Sequence, residues 1–225
     1  MTQRALTRGL LASGVIGPVL FVVMFLIEGA IRPDYDPMQV FVSQLSLGDE
    51  GWLQIANFVI SGLLIVAFAF GLRRVVSSGR ASRWGPIMVG LVGLGLIVSG
   101  VFVTDPALGY PPGAPPGLTQ NPSWHGALHL LGALFVFGGL PVASFVFARR
   151  FRAQADRPWM IYSATSVVGL LLFYFAATAS ASSAGPLHGV AGLLQRVSIG
   201  IGFAWITLLA ARLSRIGAAT TNAAS

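Results

Sequence analysis

Six stretches of the chain, at about 9–31, 52–72, 84–104, 124–148, 158–180 and 189–211, are each apolar over a length that can cross a bilayer. A spanning helix needs ~20 mostly apolar residues, because each residue advances only about 1.5 Å through hydrocarbon about 30 Å thick. No water is available there to satisfy backbone N–H and C=O groups, so an apolar run of that length must be helical. The chain is therefore read as an all-α membrane protein. Residues 1–216 form a bundle of six transmembrane helices, and residues 217–225 form a disordered C-terminal tail. Composition agrees, with only 9% charged residues where a soluble domain carries roughly 25%. The first run follows Arg4 and Arg8, as a signal peptide would. It exceeds the usual core of ~7–15 residues and lacks a small-residue cleavage site, so it is expected to be a retained helix kinked at Pro18.

The connecting segments divide the charges. All 14 basic residues are arginine, and 12 of them fall on one side: Arg4, Arg8, Arg73, Arg74, Arg80, Arg83, Arg149, Arg150, Arg152, Arg157, Arg212 and Arg215. Arginine-rich loops stay in the cytoplasm, which predicts a cytoplasmic-membrane protein with both termini cytoplasmic. Confinement of the arginines to short loops argues against a nucleic-acid partner despite the net charge of +7. The surrounding lipids are the expected partners, and the sequence does not reveal an oligomeric state. Glu28, Asp34, Asp36, Asp49, Glu50 and Asp105 lie on the opposite, outer half, as do all three histidines. With no cysteine, thiol catalysis, disulfides and iron–sulfur chemistry are excluded.

The outer segments hold the candidate site. In DYDPMQVFVSQLSLGDEG, Asp36 and Pro37 form a helix-start signal. Met38, Phe41, Val42 and Leu45 have helical spacing, predicting a short helix in the interface that covers a cavity. In NPSWHGALHL, Asn121 and Pro122 start the fourth span and Trp124 marks the interface. His125 and His129 share one helical face, four residues apart. His188 opens the sixth span, with Gln195 and Arg196 about two turns deeper. An arginine at that depth requires a partner, and Glu28 is the expected one. Glycines at Gly90, Gly93, Gly95 and Gly100 suit the third span to close helix packing.

These segments together resemble a bacterial and archaeal family of multi-pass membrane proteins catalogued as a domain of unknown function, number 998 (DUF998). The likeness rests on YDPMQVFVSQLS, GLLIVAFAFGLRR, VFVTDP, HGALH and GLLQR, in that order along nearly the whole chain. It implies the six-helix architecture and brings no activity with it.

Four functions fit this arrangement. His125, His129, His188 and Asp105 form a candidate catalytic and metal-ligating set for a divalent cation such as zinc. The outer carboxylates would attract the ion, although the glutamate of H-E-x-x-H is absent. Such a metal could activate water against a lipid-like ester or amide, with Ser43 or Ser46 assisting. A small-solute or proton-coupled transporter or sensor would instead use Glu28, Asn57, Gln195 and Arg196 as a polar path. Polar residues thin out at the midplane, which weighs against a through-path. Haem held by His129 and His188 is a third reading. In a structural or assembly protein, the fourth, the same residues would only cap helices and bond loops.

Overall fold

The computed structural model describes residues 2–182 and 189–222, and side chains up to residue 215. Six helices form the fold: α1 (Gln3–Ile31), α2 (Gly51–Val75), α3 (Trp84–Val101), α4 (Trp124–Ala153), α5 (Arg157–Ser180) and α6 (Ala191–Asn222). All six are long and apolar enough to cross a membrane. α6 continues to Asn222, into the segment expected to be a disordered tail, and Pro18 lies within an unbroken α1.

Short connections make sequence neighbours antiparallel neighbours in space. Each helix packs on the next, and α6 closes the ring against α1. Phe21, Phe25, Phe58 and Phe203 fill the middle, with the Phe21 ring centroid 5.1–5.7 Å from each of the others. Aromatic pairs at such separations add to the contacts that hold apolar helices together where no hydrophobic effect drives them. α2 and α3 approach closely, as do α3 and α4 at Gly95 and Gly132. A Cβ on Gly62 would meet the Gly93 carbonyl at 2.6 Å, and one on Gly93 would meet the Gly62 carbonyl at 2.7 Å. Larger residues there would force the two backbones apart. Ile161, Val168, Leu172 and Phe175 make the outward side of α5 apolar and more than half exposed, as a lipid-facing surface should be.

The ends differ chemically. At the arginine-rich end, Arg150 donates to the carbonyls of Ser78 and Arg80 at 2.8 and 2.7 Å, bracing the α2–α3 turn. Arg212 pairs with Asp156, the N-cap of α5. At the histidine-bearing end, the two longer loops fold over the bundle and build the site.

Candidate functional site

The segment after α1 is not the interfacial helix expected from its apolar spacing. Asp36 does start a turn, its Oδ1 accepting from the Met38 N–H at 2.8 Å. The turn then stops, and only a single 3-10 helix forms at Val42–Ser46. An α-helix here would need the carbonyls of residues 37–41 for its own ladder. They are already occupied. Arg196 Nη1 donates to Pro37 and Val40 at 2.7 and 2.9 Å. The first N–H groups of α6 donate to Met38 and Gln39, from Leu193 and Gly192. The Tyr35 hydroxyl lies 3.1 Å from the Phe41 carbonyl, and the Val42 N–H donates to Gln195 Oε1 at 2.8 Å. The segment is thus a strap tied across the start of α6, with Val42, Gln44, Leu45 and Ser46 buried.

The strap also corrects the expected ion pair. Arg196 does not meet Glu28. Its other contacts are the Gly192 carbonyl and the Tyr35 hydroxyl, and it stacks 5.5 Å from the Tyr35 ring. Burial pushes the Tyr35 phenol up to about 12, against the opposing pull of Arg196. Glu28 pairs instead with Arg32, one turn along, at 3.2 Å. Arg32 in turn reaches the Leu47 and Glu50 carbonyls and stands 3.3 Å from the Glu50 carboxylate. This buried pair ties the end of α1 to the start of α2.

The two histidines of α4 face the end of α3. A helix leaves its last carbonyls without partners, and these rings supply the donors. His129 Nδ1 lies 3.0 Å from the Ser99 carbonyl and 2.9 Å from that of Phe102. His125 Nδ1 lies 2.8 Å from the Val103 carbonyl. A carbonyl only accepts, so Nδ1 carries the hydrogen in each ring, and a neutral ring keeps its free lone pair on Nε2. Asp105 caps α4 from outside, accepting from the Ser123 N–H at 2.8 Å and its hydroxyl at 2.6 Å. Burial raises the Asp105 pKa, but those two hydrogen bonds and the nearby histidines outweigh it and leave the carboxyl below its usual value. His125 Nε2 stands 3.9 Å from Asp105, beyond hydrogen-bond reach. A Cβ on Gly126 would collide with that carboxylate, which is why HGALH has glycine between its histidines.

Among the described residues, no three histidine or acidic side chains come close enough to hold a metal. The metal-ligating set of His125, His129, His188 and Asp105 is therefore not supported. The two rings are used as helix caps, and His188 lies outside the described residues. The haem reading, which pairs His129 with His188, lies outside them for the same reason.

A cavity does open at this end. Its volume is about 210 Å3, and its polar lining includes Ser43, Gln44, Asp105, His129, Thr178 and Gln195. His129 is 4% exposed, and its Nε2 makes no protein hydrogen bond among the described residues. A smaller apolar cavity of about 50 Å3 lies deeper, bounded by Phe21, Phe58, Leu96 and Phe203. The two share Ser43, His129, Ala133, Phe137 and Gln195. Several expected site residues are absent from both walls. Ser46 donates to the Ser43 carbonyl at 2.7 Å. Asn57 bonds Gln54, Ser61 and the Phe21 carbonyl between α1 and α2. Glu28 and Arg196 hold loops.

Sequence reasoning missed Gln44. Its amide donates to the Asp105 carbonyl and accepts from the Ala107 N–H, each at 3.1 Å, joining the two outer loops above the cavity. Also missed were Phe137 and Tyr174, stacked with ring centroids 4.5 Å apart. They line the cavity and also a groove of about 630 Å3 on the outer side of α4 and α5.

No curated protein and no solved structure matches the chain. The family described as "Protein of unknown function (DUF998)" matches residues 15–212; the chain belongs to that family.

Proposed function

We propose that this protein binds a single-chain, lipid-like amphiphile at the end of the bundle facing away from the cytoplasm. One observation carries the reading. The polar cavity, the deeper apolar one and the groove between α4 and α5 adjoin one another: Phe137 lines all three, His129 borders the two cavities, and Tyr174 borders the polar cavity and the groove. At about 210 Å3 the polar cavity suits a head group and not a whole lipid, so the chain must lie in the groove, where membrane lipid already is. His129 offers Nε2 as an acceptor, and Ser43 and Gln195 border the same space. A head group bearing a hydroxyl or amide N–H matches this lining.

The transport reading has less support, because the deep end of the cavity closes on Phe21, Leu96 and Phe203. A lipid hydrolase would need a nucleophile or water held by His129. Among the described residues, no hydroxyl is hydrogen-bonded to its Nε2. Binding is therefore the claim, and turnover is an outcome that the same experiment reads.

The test is titration of the detergent-purified protein with a monoacylglycerol and with the chain-matched fatty-acid methyl ester, which has no head-group donor. Bound and released species are followed by native mass spectrometry. The monoacylglycerol should bind roughly fivefold more tightly, as one hydrogen bond is worth ~1 kcal/mol. The preference should vanish in His129→Phe, and Ala133→Trp should block both compounds. Equal binding of the two compounds, or an unchanged preference in His129→Phe, would sink the proposal. Release of free fatty acid would make the protein a hydrolase.

A further inference from the structure

A second groove runs along the outside of α2 and α3 at the arginine-rich end, with a volume of about 430 Å3. Val66, Phe70 and Arg73 line it from α2, and Arg83, Ile87 and Gly90 from α3. On each helix these positions are four and then three residues apart, or three then four in the reverse sense, so each set is one stripe along one face. The helices are antiparallel. Both arginines therefore fall at one end of the groove, and the apolar residues run from there toward the middle of the membrane.

Like most arginines at this end, these two have no anion among the described residues; they differ from the others in lining the groove together. Asp156 is the only acidic residue on the arginine-rich half of the sequence, and Arg212 takes it. Arg150 is spent on two carbonyls, and Arg74 reaches Gln3. Arg73 uses Nη1 on the Ser82 carbonyl at 3.0 Å, leaving its remaining donors free. The Arg83 guanidinium makes no hydrogen bond or ion pair among the described residues, and lies 5.8 Å from the exposed Trp84 ring. A tryptophan beside an arginine marks the head-group level of a bilayer. The groove thus presents unpaired positive charge at head-group depth and apolar walls below it.

We infer that the α2–α3 groove is a binding site for an anionic phospholipid, with the phosphate held by Arg73 and Arg83 and one acyl chain lying along Phe70, Ile87 and Gly90. Guanidinium groups match phosphate oxygens two donors at a time. Basic recesses between helices at the membrane surface select such lipids. The absence of a Gly90 side chain helps to open the groove. A Cβ there would meet the Ala69 Cβ at 3.6 Å, an ordinary contact, so a longer side chain fills the groove without colliding with backbone. The site is independent of the cavity at the other end.

Full-length protein in a neutral detergent is titrated with phosphatidylglycerol and with phosphatidylcholine of the same acyl chains, and bound lipid is measured by native mass spectrometry. Phosphatidylglycerol should bind more tightly. Arg73→Gln with Arg83→Gln should weaken it on the order of 30-fold, at ~1 kcal/mol for each arginine near an anionic head group. Arg80→Gln, outside the groove, should leave it unchanged. Gly90→Leu retains both arginines and should still weaken binding, which covers the case of a misfolded double variant. The inference is overturned if the two lipids bind alike, if Gly90→Leu binds as the parent does, or if glycerol phosphate without acyl chains competes equally.

Discussion

His125 and His129 act first on the end of α3, whose carbonyls at Ser99, Phe102 and Val103 they engage. Replacing His129 with phenylalanine keeps a ring and removes the donor. The buried carbonyls then lose their partner, at a cost of ~1–3 kcal/mol, seen as a lower melting temperature in detergent. His125→Phe should cost less, because the His125 side chain is 40% exposed and water can replace it. Gly126→Ala should destabilise by ~1–3 kcal/mol through overpacking against Asp105. That loss should shrink when Asp105 is also made alanine, a non-additivity that a double-mutant cycle measures. Asp105 itself gives a pH signature. Its folded pKa lies below the usual value, so the stability it contributes is complete above the unfolded value of about 3.9 and is lost as pH falls through the lower folded value. The difference in melting temperature between the parent and Asp105→Asn should therefore persist down to about pH 4 and close below it. Spacing made the shared face of the two histidines legible in the sequence. It could not say what lies opposite that face, and the carbonyls of α3 carry no sequence signature.

At the scale of elements, the strap at 34–50 shows where local signals lose to tertiary ones. Asp36–Pro37 and the spacing of Met38, Phe41, Val42 and Leu45 favour a helix, and Asp36 does form the first turn. The helix fails to grow because Arg196, Gln195 and the first N–H groups of α6 take the groups its ladder needs. Those competitors sit about 150 residues later, at sequence separations of 153–159, where no local pattern reports them. Removing the competition should loosen the strap without melting the bundle. Lysine at 196 keeps the charge but not the planar fork that serves Pro37, Val40 and Tyr35 together. Arg196→Lys should speed hydrogen exchange across residues 38–46 by about tenfold or more, since losing a charged hydrogen bond costs ~1.5–3 kcal/mol. Exchange within α2 and α3 should not change. Uniform acceleration over all six helices would mean that the strap holds the whole fold together and is not a separable cover.

At the scale of the molecule, the apolar runs disclosed nearly all of the fold, because a bilayer leaves the backbone so few options. The helices begin and end within a few residues of the runs that announced them, apart from α1, which starts earlier, and α4 and α6, which run on past their apolar stretches. The closure of α6 on α1 was not legible, since uniformly apolar helices carry almost no sign of which side faces a neighbour. Orientation is the property on which both binding proposals depend for their leaflet. The arginine bias predicts that the turn at 76–83 is cytoplasmic and the histidine-bearing loops are outside. The chain contains no cysteine, so single cysteines report without background. Ser77 and Gln120 are exposed, in the α2–α3 and α3–α4 loops respectively. A membrane-impermeant maleimide should label Gln120→Cys in intact cells and Ser77→Cys only after permeabilisation. The reverse pattern would turn the molecule over. The cavity at His129 would then draw on amphiphiles of the inner leaflet, and the groove at Arg73 and Arg83 would face the outer one. The head-group chemistry argued for each site would stand, because it follows from the residues that line it, but the pool of lipid supplying each site would be exchanged.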